Sequence, residues 1–286
     1  MKIGIAGLGK MGTNHLNELR KDDEFKVAAL YDLRQNAEFK EPFYTNLDEF
    51  LKANLDIVII ATPTSTHLEL AKAILAKVKC VLIEKPLAMN LKEMNEIKEL
   101  AKKHESSVAV GFSERFNPAI LALKKELANE KIISINIKRY SPFPVRISDV
   151  GILQDLSIHD IDLVGFLSGE SFAKQGLLSL KKDDREIEAI ITLQSGLNSK
   201  QNIIAAVHQS WNCALKIRLV SVITENAFFE ADLNNFSLQK NGLPLALQGA
   251  SPLFSEHKEL LDLAKSGKMG RLASIKDALN AQACLE

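Results

Sequence analysis

The sequence predicts a doubly wound parallel α/β domain followed by an α+β domain built on an open, mostly antiparallel sheet. Three observations carry that prediction. Through the first 110 or so residues, β-rich runs alternate with helical patterns, which implies parallel strands joined by right-handed crossovers. A glycine-rich turn, GLGKMG, separates the first β-rich run from the first helical one. From about Phe172 to Gln239, strand patterns succeed one another with only short polar turns between them, which implies antiparallel pairing with one face open. The boundary falls near residue 115. It divides the 286 residues into a domain over 1–115 and a substrate-binding and oligomerisation domain over 116–286, with the last helix expected to pack back on the first domain.

The elements follow in order. KIGIAG is a short strand, and a helix runs from Met11 to about Lys21. FKVAALYD and LDIVIIA are the second and third strands, the latter apolar throughout, as a strand buried on both faces must be. HLELAKAILAK is an amphipathic helix, CVLIEKP another buried strand, LKEMNEIKELAKKH a helix with one charged face, and SVAVGF a fifth strand. Beyond Phe116 come the helix PAILALKKELAN, the strand KIISINIKRY and a helix rich in aspartate and histidine. Six strands follow: QGLLSLKK, EIEAIITLQ, QNIIAAVHQSW, ALKIRLVSVIT, AFFEADL and FSLQK. The turns KKDDR, SGLNSK and TEN punctuate them, and two helices, SEHKELLDLAKSG and ASIKDALNAQACLE, close the chain.

Composition narrows the function classes. Lysine plus arginine equals aspartate plus glutamate, at 36 each, so the formal net charge is zero and neither nucleic acid nor an anionic membrane is a natural partner. Cys80, Cys213 and Cys284 are scattered, with no CxxC pair or Cys/His cluster, so neither a disulfide framework nor a metal site is expected. The opening MKIGIAGLGKMG is broken by glycines and makes a poor signal-peptide core, and no apolar run approaches a membrane span. A reducing cytoplasm is the expected compartment.

Gly7, Gly9 and Gly12 form a GxGxxG pattern, with Lys10 and Met11 inside it, between a strand and a helix. Gly7 permits the tight turn, Gly9 lets a pyrophosphate approach the backbone, and Gly12 lets the helix pack on the sheet. The helix N-terminus then offers unpaired N–H groups to the phosphates. Asp32 ends the second strand, where an acid accepts hydrogen bonds from the adenosine ribose. A carboxylate there repels a 2′-phosphate and favours NAD over NADP, although Arg34, two residues on, could tolerate one. The plainer reading of Asp32 is a turn-forming residue after a strand.

Glu84, Lys85 and Pro86 end the buried run CVLIEKP, so Lys85 stands at the carboxyl end of a parallel strand, where ligands bind in such sheets. The segment DVGILQDLSIHDID (149–162) carries four aspartates and a histidine at the start of an otherwise apolar helix. Asp155, His159 and Asp162 lie at i, i+4 and i+7 and share one helical face. A helix N-terminus capped by Ser148 or Asp149 accounts for some of the acids but not for the histidine.

The glycine loop, ATPTSTH (61–67), EKPLA (84–88), GFSERFNP (111–118) and DLSIHDID (155–162) occur in this order, and with them the chain resembles the Gfo/Idh/MocA oxidoreductase family over nearly its whole length. The resemblance implies an NAD-binding Rossmann domain and a C-terminal α/β domain whose open sheet forms homodimers or homotetramers. It implies a cis bond before the EKP proline, a catalytic lysine at Lys85 and an Asp-x-x-x-His pair at Asp155 and His159. Thr62, Pro63, Glu84 and Lys85 would join the glycine loop and Asp32 in lining the cofactor, while His67 would only begin a helix. Arg115 and Asn117 would either touch nicotinamide or substrate or cap the following helix. Asp162 would be structural. A lone Gly151 stands where the family often carries a glycine run.

Physically, oxidising a secondary alcohol needs a hydride acceptor and a proton acceptor. A near-neutral histidine suits the second role, with Asp155 orienting His159 and Lys85 stabilising charge on oxygen. The segments SPFPVRISDVGILQDLSIHDIDL and SWNCALKIRLVSVITENAFFEADL resemble a subgroup that oxidises the 3-hydroxyl of UDP-N-acetylglucosamine or its uronic acid. Arg146, Lys216 and Arg218 are then candidate cations for the diphosphate, the plainer reading of the last two being an exposed strand face with alternating charges. The 3-keto product would feed an aminotransferase and diamino-sugar synthesis for lipid A or another surface glycan. The alternatives are a dehydrogenase of a free cyclitol or sugar such as inositol, one acting on the uronic acid form, and an NAD-sensing module without catalysis.

Overall fold

The computed structural model describes residues 1–34, 38–143, 151–196 and 199–286. The chain runs β1 (Lys2–Ala6), α1 (Lys10–Leu19), β2 (Lys26–Tyr31), β3 (Phe43–Tyr44), α2 (Leu47–Leu51), β4 (Ile57–Ile60), α3 (His67–Leu75), β5 (Cys80–Glu84), α4 (Leu91–Lys103) and β6 (Ser107–Gly111). It continues through α5 (Pro118–Glu126), β7 (Ile132–Tyr140), α6 (Ile158–Ser168), β8 (Phe172–Lys182), β9 (Arg185–Ser195), β10 (Ile204–Ser210) and β11 (Ile217–Thr224). The last elements are β12 (Phe228–Asp232), β13 (Ser237–Lys240), β14 (Leu243–Leu245), α7 (Pro252–Ser266), β15 (Ala273–Ser274) and α8 (Ile275–Ala283).

Two compact units result, Met1–Ser113 with Leu253–Leu279, and Glu114–Pro252 with Asn280–Glu286. The first holds a sheet of order β15-β6-β5-β4-β1-β2-β3, parallel except for β15. Its central strands β4 and β5 are buried at every position, which is why their sequences are continuous apolar runs rather than alternations. The helices over this sheet begin with asparagine caps where their sequences offer them: Asn46 accepts from the Glu49 N–H and Asn90 from the Glu93 N–H.

The division after residue 115 needs correction at the C-terminus. Residues 253–279 belong to the first unit, because β15 pairs antiparallel with the edge of β6, Ala273 opposite Val110, and so satisfies backbone groups that β6 would otherwise expose. Unit membership changes inside α8, after Leu279. The short elements β3, α2 and β14 are each too brief to show a period in the sequence.

The second unit carries an eight-stranded sheet of order β14-β13-β12-β11-β7-β10-β9-β8, antiparallel except where β10 runs parallel to β7. Alternation is clear along β7, where Ile135, Ile137 and Arg139 face inward and Asn136 and Lys138 outward. The KKDDR turn joining β8 to β9 places Asp183 and Asp184 at φ +51° and +60°, the positive pair that a two-residue hairpin turn matching strand twist requires. The three cysteines are free.

Candidate active site

Four parallel strands of the first unit deliver the sequence-predicted cofactor residues to their carboxyl ends. After β1, Gly7 takes φ +91°, and a Cβ there would lie 2.6 Å from the Thr62 nitrogen. A Cβ on Gly12 would lie 1.8 Å from the Gly7 carbonyl oxygen. These two glycines are dictated by close approach within the protein. Gly9 is different: its backbone is extended, it caps α1 without a side-chain bond, and a Cβ there would meet nothing within 4 Å. The helix N-terminus with its unpaired N–H groups therefore opens beside free space, with Lys10 exposed and Met11 half-buried. That opening fits a dinucleotide pyrophosphate.

Asp32 follows β2. Its Oδ2 accepts the Leu8 N–H at 2.8 Å and its Oδ1 the Arg34 N–H at 3.3 Å. The acid thus shapes the glycine loop, a role the sequence did not announce, and each oxygen retains a further lone pair for a ribose hydroxyl. Thr62 and Pro63 follow β4, and Glu84 and Lys85 end β5.

Lys85 is half-buried, its bond to Pro86 is cis, and its N–H donates to Glu84 Oε2 at 3.2 Å. Glu84 is buried with Oε1 at 2.8 Å from His15 Nε2. Gly111 of β6 makes room for that carboxylate, since a Cβ there would fall 2.8 Å from Oε1. His67 does more than begin a helix. Its Nε2 lies 2.9 Å from the Thr62 carbonyl and its Nδ1 3.0 Å from the Pro86 carbonyl, so one ring ties the loop after β4 to the loop after β5. Burial pulls its pKa below the ordinary histidine value. A neutral ring has one N–H and donates to one of these carbonyls at a time.

In the second unit, Asp155 lies in a π-helical turn, Leu153–Ser157, that leads into α6, and His159 is in the first turn of α6. The single α-helix expected from the i, i+4, i+7 spacing is therefore corrected to a π turn followed by an α-helix, a widening that recurs at functional sites. Both side chains are half-buried. Ser148 and Asp149, the expected caps, lie outside the described residues, as does Arg146.

The acids beyond His159 face the fold. Asp162 takes two bonds from Arg115, Nε to Oδ2 at 2.7 Å and Nη2 to Oδ1 at 2.5 Å, and the guanidinium sits 5.0 Å from the Phe166 ring centre. Arg115 is 5% exposed and makes this pair within the second unit. Asn117 caps α5 by accepting the Ala119 N–H at 3.0 Å and donates to the Leu233 carbonyl at 3.1 Å, so it too serves the fold. Asp160, which sequence reasoning passed over, is fully buried against Arg139 and also accepts from Gln209 at 2.9 Å. Glu114 accepts from both Arg139, at 3.0 Å, and Arg218, at 2.9 Å. Burial alone would raise the Glu114 pKa, but the two guanidinium charges hold it below the ordinary carboxylate value. Nothing in the local sequence pairs these groups, which are brought together by strand order.

Lys216 and Arg218 are exposed and line one surface cavity of about 420 Å³ with Asp232, Asn234 and Asn235. The Arg218 bond to Glu114 leaves its remaining N–H groups for an anion. Among the described residues, no group of three or more His, Cys, Asp or Glu side chains could hold a metal ion.

Residues 1–112 match the family described as an oxidoreductase family with an NAD-binding Rossmann fold, Gfo/Idh/MocA. Myo-inositol 2-dehydrogenase of Thermotoga maritima is 33% identical over 59% of this chain and 55% of its own length. UDP-N-acetylglucosamine 3-dehydrogenase of Acidithiobacillus ferrooxidans is 27% identical over 98% of this chain and 88% of its own. A solved structure of the latter enzyme superposes with a TM-score of 0.87 at 22% identity, covering 100% of this chain and 95% of that one. GenD2 from gentamicin A biosynthesis, solved in complex with NAD, superposes with a TM-score of 0.85 at 20% identity, covering 100% and 92%.

Proposed function

We propose that this chain, which belongs through residues 1–112 to the Gfo/Idh/MocA oxidoreductase family, oxidises a secondary alcohol of a sugar derivative with NAD, and that its substrate is the 3-hydroxyl of UDP-N-acetylglucosamine. One observation carries the substrate. Similarity to the nucleotide-sugar enzyme extends over 98% of this chain, whereas the myo-inositol enzyme matches over 59%.

The glycine loop and Asp32 hold the dinucleotide. When bound, its nicotinamide supplies the hydride acceptor. Asp32, already anchoring Leu8, accepts from the ribose, and its charge disfavours a 2′-phosphate, so NAD is preferred to NADP. His159 takes the hydroxyl proton as general base and Asp155 orients its ring and stabilises the imidazolium. Lys85 donates to the reacting oxygen and stabilises its developing negative charge. Lys216 and Arg218 are the described cations suited to the diphosphate. The 3-keto sugar produced is a carbonyl that an aminotransferase converts to a diamino sugar, as lipid A or surface-glycan synthesis requires. The sheet of the second unit exposes Leu178 and Ile204, at 72% and 58%, which supports a homo-oligomer covering that face.

The test is NADH formation by purified protein given NAD and UDP-N-acetylglucosamine, its uronic acid or myo-inositol, run with an aminotransferase trap that consumes the 3-keto product. Reduction with UDP-N-acetylglucosamine alone is the expected result. Reduction with myo-inositol instead would keep the dehydrogenase chemistry and discard the nucleotide sugar. The 33% identity to the myo-inositol enzyme makes that the second reading.

A further inference from the structure

We propose that His257, on α7, is a positioning residue that sets the backbone of Lys85 through His15 and Glu84. This rests on the role assigned to Lys85 above. Three buried polar side chains form a chain inside the first unit: Glu84 Oε1 is 2.8 Å from His15 Nε2, and His15 Nδ1 is 2.8 Å from His257 Nε2. They are 5%, 0% and 2% exposed. Burying three such groups costs free energy that apolar side chains of similar size would not incur. The chain ends on a carboxylate whose other oxygen takes the Lys85 N–H at 3.2 Å. Residue 111 is a glycine whose missing side chain leaves room for that carboxylate.

In the proposed array His15 donates from Nε2 to Glu84 Oε1. The remaining nitrogen, Nδ1, then accepts from His257 Nε2–H. Burial pushes the His257 pKa well below the ordinary value, which leaves that ring one N–H for this bond. The array is therefore one-directional, from α7 through α1 to the end of β5. It fixes which way the Glu84 carboxylate turns, and with it the amide that begins the Lys85–Pro86 segment. His67 Nδ1 lies 3.0 Å from the Pro86 carbonyl on the other side of that peptide bond.

The test uses the full chain and needs no substrate for its first two arms. Long-range ¹H–¹⁵N spectra of histidine-labelled protein are expected to show His15 and His257 both as Nε2–H tautomers. In lysine-labelled protein, the Lys85 amide, identified by its loss in K85R, is expected to shift in His257→Asn, whose amide cannot reach the Nε2 position. It should return in His257→Gln, whose amide nitrogen does reach it. In turnover with the nucleotide sugar, His257→Asn should lower kcat about tenfold or more with KM for NAD unchanged, and His257→Gln should restore it. A proton on Nδ1 of His257, or an unmoved Lys85 amide in folded His257→Asn, overturns the proposal. Should His257→Asn not fold, the wild-type tautomers and the His257→Gln amide position decide. Absence of turnover by the wild type would count against the substrate, and the spectra would still decide this proposal.

Discussion

Arg115 and Asp162 form a two-point ion pair inside the second unit, with nitrogen–oxygen distances of 2.7 and 2.5 Å and the arginine 5% exposed. Removing one partner of such a buried pair leaves the other charge unsatisfied and costs about 3–5 kcal/mol. Asp162→Ala is therefore expected to lower unfolding free energy by that order in a urea titration. Protein that remains folded should bind NADH with unchanged affinity, because the pair belongs to the fold. A loss of under about 1 kcal/mol would mean that the pair is solvated.

Gly9 and Gly12 separate binding from folding. Gly12→Ala drives a Cβ against the Gly7 carbonyl and should markedly depress the melting temperature. Gly9→Val places its side chain in open space and should leave the melting temperature nearly unchanged while abolishing NADH binding, measured by quenching of intrinsic fluorescence. Retained binding in Gly9→Val would place the dinucleotide elsewhere.

Asp32→Ala should affect both affinity and selectivity. Hydrogen bonds to a charged group contribute about 1.5–3 kcal/mol, so NADH affinity should fall roughly tenfold or more. With the carboxylate gone, NADPH should bind at least as well as it does to the wild type, narrowing the preference. Parallel titrations with the two reduced cofactors measure this, and an unchanged ratio would remove Asp32 from the ribose site.

Lys85→Ala should leave NADH binding within about threefold and reduce turnover by at least about a hundredfold, since the lost donor acts on charge that develops during reaction. Turnover close to that of the wild type would refute the role given to Lys85.

His67 and His257 both have pKa values drawn below 6.5 by burial, His257 further by His15. The unfolded chain takes up protons at these sites near 6.5 while the folded chain resists them. The stability from these rings is thus fully present above about 6.5 and lost as pH falls below it. Melting temperature is expected to hold between about pH 8 and pH 7 and to fall on acidification toward about pH 5.5. His67→Gln should flatten that fall. A wild-type profile with no fall through this interval would show that the rings are charged when folded.

Much of the first unit is legible in sequence because its signals are local. Continuous apolar runs mark β4 and β5, the glycine spacing marks a turn between strand and helix, and Asp32 and Lys85 stand where parallel strands end. The wide turn at 153–157 was not legible, since an apolar segment with i, i+4 acids reads equally as an ordinary helix. His67 was underestimated for a related reason, because its two carbonyl partners come from different loops.

What the sequence determined by itself was the order of the longer strands and helices, the glycine-rich turn and the residue types offered at the strand ends. Each depends on neighbours within a turn or a strand length. Tertiary structure alone decided which charges serve the fold. Arg115 meets Asp162 across 47 residues and His15 meets His257 across 242. Likewise, β15 returns from the C-terminus to close the edge of β6. Hydrophobic periodicity records which face of an element is buried but not which distant polar group awaits it there. A buried arginine and a ligand-binding arginine therefore look alike until burial and pairing distinguish them.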